Sequence, residues 1–176
     1  MALPDDIPIV VDPDRQYLNI RQLEDYKYHR ENVLTWLYER GKDPDTVEGY
    51  SKAVTKNMAY RLSKIYRWVW DRRGSYTTTI THDHADSYVN EIAGNEWKNS
   101  NKSQYVKALK RLFKWRHHKR DDDFWKSEIT FTSGSEDYQP QDFFTLEERK
   151  RLREASLEYG SVPAYTNITP RERSRW

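Results

Sequence analysis

The sequence predicts an all-α fold of four to five helices, with an extended N-terminal arm and a C-terminal linker plus one further helix. Two observations carry this. Apolar residues recur at three- and four-residue steps through four long stretches, and glycines or capping residues punctuate their ends. A third makes a packed core feasible: hydrophobic residues are only 36% of the 176, but 7 Trp, 13 Tyr and 5 Phe supply large buriable surfaces.

Residues 1–18 cluster Pro4, Asp5, Asp6, Pro8, Asp12 and Pro13 and read as an extended arm. A first helix is expected over 19–40, where Leu23, Tyr26, Arg30, Val33, Leu34 and Leu37 share a face and Gly41 follows the end. The turn GKDPD leads to a second helix expected over 46–73, closed by Gly74. Its core arc is Val54, Met58, Leu62, Ile65 and Val69, and Lys52, Lys56, Ser63 and Arg67 form an opposite, ligand-facing side. Thr81 caps a third helix with Ala85, Tyr88, Val89 and Ile92 inward, ending near Gly94. A polar loop over 99–103 precedes a fourth helix over 103–118. There Tyr105, Val106, Leu109, Leu112 and Phe113 fall on one side, and Lys107, Lys110, Arg111 and Lys114 on the other. The run FTSGSEDYQPQ reads as a linker. Thr145-Leu146-Glu147-Glu148 then starts a fifth helix expected to reach Tyr159, with Thr145 and Glu148 as a capping box. Thr169-Pro170-Arg171-Glu172 is one more helix start, one turn before the sequence given ends, which suggests a second domain cut early. The expected organisation is an arm (1–18), a helical domain (19–126), a linker (127–142) and the start of a truncated domain (143–176).

Net charge is +2, but it is an average over unlike parts. Lys/Arg against Asp/Glu number 6 and 11 in residues 1–50, 16 and 5 in 51–120, and 8 and 12 in 121–176. The middle is therefore +11 between segments of −5 and −4, which points to a polyanionic partner. A solvated surface mixes signs, whereas the fourth helix carries a stripe of one sign.

Several function classes find no support. The absence of cysteine removes disulfides, Cys-based zinc sites and thiol chemistry, and fits a cytoplasmic location. No apolar run approaches the ~20 residues of a membrane span, so no membrane partner is expected. His82 and His84 are two apart at a helix start and suit a solvent-exposed or capping role better than metal binding; His117 and His118 extend a basic helix end. No Gly-rich phosphate loop, GxSxG or paired carboxylates stand out, so neither cofactor nor catalysis is expected of this chain. Trp36, Trp68, Trp115, Tyr66 and Tyr88 are assigned to the core or to helix–helix contacts.

Duplex DNA fits better. Basic residues reach phosphates, and Asn, Gln, Arg and Lys can also read base edges. The candidate DNA-binding residues are Lys52, Thr55, Lys56, Asn57, Tyr60 and Arg67 on one helix. On the other, with its preceding loop, they are Asn101, Lys102, Ser103, Gln104, Lys107, Lys110, Arg111 and Lys114. The alternative is a protein-interaction or self-association module whose basic stripe docks an acidic partner.

The order of GYSKAVTKNMAYRLSKIYRWVWDRRG, THDHADSYVNEIA, NSNKSQYVKALKRLFKW, a polar linker and FTLEERKRLREASLEYG resembles the N-terminal core-binding (SAM-like) domain of tyrosine site-specific recombinases. These are the phage-type integrases and the Xer group, and the likeness is especially to the integrase-like version found in archaea. Leu109, Phe113 and Trp115 approximate that domain's closing Leu-x-x-Phe-x-x-Trp segment, and Phe144–Arg149 the opening of the catalytic domain. The resemblance spans about residues 20–176. It implies one half of a clamp around a double-stranded recombination site, shared with other recombinase protomers, in DNA integration and recombination. The family's catalytic Gly-Leu-Arg, Lys, His-x-x-Arg pair and Tyr nucleophile belong to a later domain. His117 and Arg120 have the spacing of that pair only by coincidence, and no tyrosine here is assigned as a nucleophile. The helix at 19–40 is additional to the minimal four-helix pattern.

Overall fold

The computed structural model of the chain describes residues 3–132 and 144–158. It is all-helical: α1 (Asp12–Arg15), α2 (Ile20–Arg40), α3 (Lys52–Arg73), α4 (His82–Ala93), α5 (Asn99–Arg120) and α6 (Leu146–Glu158). Two compact units divide it, Met1–Gly134 and Ser135–Trp176.

In the first unit α2 packs on α3 and α5, and α4 closes against α5 and α3. Tyr26, Val33, Leu34 and Leu37 meet Met58, Leu62, Ile65 and Val69, with Leu109, Leu112 and Phe113 beneath, in one buried cluster. Trp36, Trp115, Tyr66 and Tyr88 are buried, and the ring of Trp68 meets Tyr88 edge-on, all consistent with core and helix-contact roles. The caps follow the sequence signals where these are strong. Asn19 and Gln22 form a reciprocal box before α2, as do Thr81 and His84 before α4, and Gly74 takes the left-handed conformation after α3.

Four expectations are corrected. The second helix begins at Lys52 rather than 46: Asp43 Oδ1 accepts from the backbone of Asp45 and Thr46, Asp43 bridges Glu48, and Ser51 caps the helix. Gly49 lies so close beneath α2 that a Cβ there would stand 1.6 Å from the Tyr38 carbonyl oxygen. The fourth helix starts at Asn99, four residues before 103, without a side-chain cap at Lys98. The polar first turn is held from outside instead, by Lys102 donating to the carbonyls of Ala93, the last residue of α4, and Asn95 beyond it, and by Asn99 donating to Thr132 O at 3.0 Å. The linker does not begin at 127, because Ile129 and Phe131 still pack on the core and Thr132 O accepts from Asn99. The arm is not simply extended. It contains α1, buries Ile7, Val11 and Asp14, and lies along α2 and α3.

Polar groups tie the arm down. Asp14 is fully buried, accepts from Ser63 Oγ at 2.5 Å and lies 3.2 Å from Arg67 Nε. Arg30 is fully buried on α2 and donates to Ile9 O in the arm (3.2 Å) and Ala59 O in α3 (2.6 Å). Beside it His29 Nε2 shares a 2.7 Å hydrogen bond with the Tyr66 hydroxyl.

In the second unit α6 begins as expected: the Thr145 N–H donates to Glu148 and the Glu148 N–H returns to Thr145 Oγ1. Tyr159 and the helix start at Thr169 lie outside the described residues.

Burial, with the nearby Arg30 charge second, pushes His29 down to about 4. In the unfolded chain it titrates near 6.5, so between these values the unfolded state binds the proton and the folded state does not. Stability is therefore complete above pH 6.5 and falls as the pH drops toward 4, by a few kcal/mol in total. Urea midpoints of the wild-type protein should decline from pH 6.5 to 4.5, and His29→Gln should flatten that decline. Gly49→Ala should lower the thermal midpoint strongly. Gly94→Ala, whose Cβ would meet nothing nearer than 3.7 Å, should stay within about 0.5 kcal/mol of wild type.

Candidate nucleic-acid interface

The site is built on the two longest helices of the first unit, which run antiparallel. Lys64 in the middle of α3 sits against Tyr105 near the start of α5, while Tyr50, just before α3, lies under Arg111 in the second half of α5. Along α5 the apolar residues turn inward, which leaves Lys107 and Lys110 exposed and Ser103, Gln104, Arg111 and Lys114 half-buried on one side. The i, i+3, i+4, i+7 spacing of Lys107, Lys110, Arg111 and Lys114 puts the four cations in one stripe.

Neighbouring elements position these side chains. The Arg111 guanidinium lies 4.3 Å from the Tyr50 ring centroid, which fixes a cation over an aromatic face. Lys114 Nζ donates to Gly41 O (3.0 Å) and Lys42 O (2.8 Å), capping the C-terminal end of α2. Its ammonium is therefore already engaged at the border of the stripe. Lys107 and Lys110 form no ion pair among the described residues.

On α3 the exposed edge is Asn57, Tyr60 and Lys64, with Arg61 half-buried beside them. Lys64 Nζ stands 4.0 Å from the Trp97 ring centroid and 5.9 Å from that of Tyr105. Desolvation, and then the Arg67 charge, lowers the Lys64 ammonium below its ordinary value. Arg61 and Lys64 were not among the sequence candidates. The signal was present, since they follow Asn57 at i+4 and i+7, one step around the helix from the Lys52–Arg67 line.

That line is the main correction to the sequence reading. The supposed ligand face of α3 is covered by the chain's own arm. Ser63 is buried on Asp14, Arg67 pairs with Asp14, and Lys52 and Lys56 lie 2.9 and 3.6 Å from the Asp6 carboxylate. Thr55 is fully buried, with its hydroxyl donating to Ser51 O, and cannot face a ligand. Lys102 is buried too, with Nζ on Ala93 O (2.9 Å) and Asn95 O (2.7 Å). A basic residue there reads as a phosphate contact in the sequence, but its ammonium stabilises the end of α4. Asn101 is exposed, about 120° around α5 from Lys107 and so off the stripe.

The structure thus brings together Asn57, Tyr60, Ser103, Gln104, Lys107, Lys110 and Arg111 from the candidates, with Arg61 and Lys64 added and Lys114 at the border. Asn101 is exposed at the edge toward Lys64, Thr55 and Lys102 are buried away from the surface, and Lys52, Lys56 and Arg67 are engaged by the arm. Chemically the surface offers cations for phosphate oxygens and two amides able to donate and accept.

Elsewhere, His84 Nδ1 accepts from the Thr81 N–H, in keeping with a capping role. Among the described residues no group of three or more His, Cys, Asp or Glu side chains is placed to hold a metal ion. No described helix is long and apolar enough to cross a membrane. Among known protein families, curated proteins and solved structures, none matches this chain.

Lys102→Met should destabilise the fold by about 1–3 kcal/mol, because two carbonyls lose a charged donor. Lys107→Met should leave stability within about 0.5 kcal/mol of wild type. Chemical denaturation of the two variants separates a structural lysine from a surface one.

Proposed function

We propose that the first unit binds double-stranded DNA through the α3–α5 face, as the N-terminal clamp half of a tyrosine recombinase acting at a recombination site. The observation that carries this reading is the α5 stripe: Lys107 and Lys110 are exposed on one side of a long helix, without a carboxylate partner among the described residues. Together with Arg61, Lys64 and Arg111 they make five cations across two adjacent helices, suited to the phosphates flanking a groove. Asn57 and Gln104 lie among them and have the donor–acceptor pairs that read adenine edges. In this role the described residues contact DNA beside other protomers.

A second reading has one observation in its favour. The arm's Asp6 already sits on Lys52 and Lys56, so an acidic protein segment is a feasible ligand for basic α3 residues. Duplex DNA would compete with such self-association.

Five phosphate contacts give a slope of log affinity against log salt of about −4.5, a loss on the order of 500-fold between 50 and 200 mM. Fluorescence anisotropy with a labelled duplex should show that slope. Lys107→Glu with Lys110→Glu should weaken binding at least tenfold, on the order expected for two lost phosphate contacts, with the circular-dichroism helix signal intact. Salt-independent binding, or none at the lowest ionic strength, would refute the proposal.

A further inference from the structure

Two carboxylates of the arm pair with α3 in different ways, and the difference has a functional consequence if the DNA reading above holds. Asp14 with Arg67 is an anchor, for its carboxylate is fully buried and the Arg67 side chain is 27% exposed. Asp6 with Lys52 and Lys56 lies at the rim, where the three side chains are 43%, 57% and 42% exposed. A rim pair of this kind adds little to stability. Yet Asp6 cannot drift off, because the next residue, Ile7, is buried in the core and the Ile9 carbonyl is held by Arg30. The carboxylate is thus kept at a high effective concentration over the two lysines. Lys52, whose hydrogen bond is the foremost cause, holds Asp6 below the usual carboxylate range, so it stays charged at neutral pH.

Two oxygens sharing one negative charge between two ammonium groups is also what a backbone phosphate offers. The position suits that exchange. Lys52 is in the first turn of α3, two residues after the Tyr50 ring that carries Arg111, and Lys56 adjoins Asn57. We infer that Lys52 and Lys56 form a further DNA-phosphate site that Asp6 occupies in the free protein, so that the arm sets the affinity for duplex DNA. Binding there exchanges a carboxylate for a phosphate rather than releasing counterions. The two lysines therefore add little to affinity or salt dependence while Asp6 is present.

The test is Asp6→Asn in the full chain, compared with wild type by anisotropy on the same labelled duplex across a salt series. Asp6 is exposed and the anchor at Asp14 is untouched, so the variant should fold, and circular dichroism checks this. Affinity near 100 mM salt should rise on the order of 3- to 10-fold, and the log–log slope should steepen by up to about 1.8, roughly 0.9 for each freed lysine. In a Lys52→Gln/Lys56→Gln background the same substitution should change neither. An unchanged affinity and slope in Asp6→Asn would overturn the inference, as would a gain that persists without the two lysines. Failure of the wild-type protein to bind at all would overturn the DNA reading, and this inference with it. Wild-type binding weakened by the Lys107/Lys110 reversal but indifferent to Asp6 would overturn the inference alone.

Discussion

The buried carboxylate of Asp14 decides which surfaces of this protein are free. A charge taken fully out of water is tolerated only where partners surround it, and Ser63 and Arg67 supply them from α3. Arg30 completes the seam from α2, its charge held by the Ile9 and Ala59 carbonyls and facing the Tyr26 and Tyr66 rings at 5.7 and 6.0 Å. Removing one member would strand another in the interior. The arm is consequently part of the helical unit, and the part of α3 around Ser63 and Arg67 is closed to a large ligand.

Charge is sorted around that seam. The acidic arm takes up the cations on one side of α3, and the cations on the side toward α5 remain exposed beside those of α5. The surplus of +11 over residues 51–120 is therefore not spread evenly: Arg67 and Lys102 are consumed inside the fold, Lys114 is committed to the end of α2, and Lys64, Lys107 and Lys110 are left outward. Aromatic rings assist by holding Lys64 and Arg111 in place without neutralising them.

Much of this was legible in the sequence. Periodicity and caps located α2 and α4 closely, and the separation of apolar from basic residues on α5 is what the structure contains. What failed shares a cause, namely interactions between residues far apart in the chain. Ser63 looked like a surface residue because nothing local announces that Asp14, 49 positions earlier, comes to bury it. Lys102 looked like a phosphate ligand, since its use as a prop for the end of α4 depends on how α4 and α5 meet. The helical turn expected at 46–51 is absent because Gly49 passes beneath the Tyr38 carbonyl, a tertiary fact. The prolines and aspartates of residues 1–18 read as an extended arm for the same reason: burial of Ile7 and Val11 is invisible in a segment without helical periodicity.

If α3 and α5 together face DNA, the other helices should remain unperturbed when duplex is added. The most direct measurement is a backbone-amide NMR titration of the full chain with a short duplex at low salt. Shift changes should concentrate in residues 52–64 and 103–114, with the outer face of α2 unmoved. Changes centred on α2 or α6, or an unperturbed spectrum at saturating duplex, would contradict a DNA-facing α3–α5 surface.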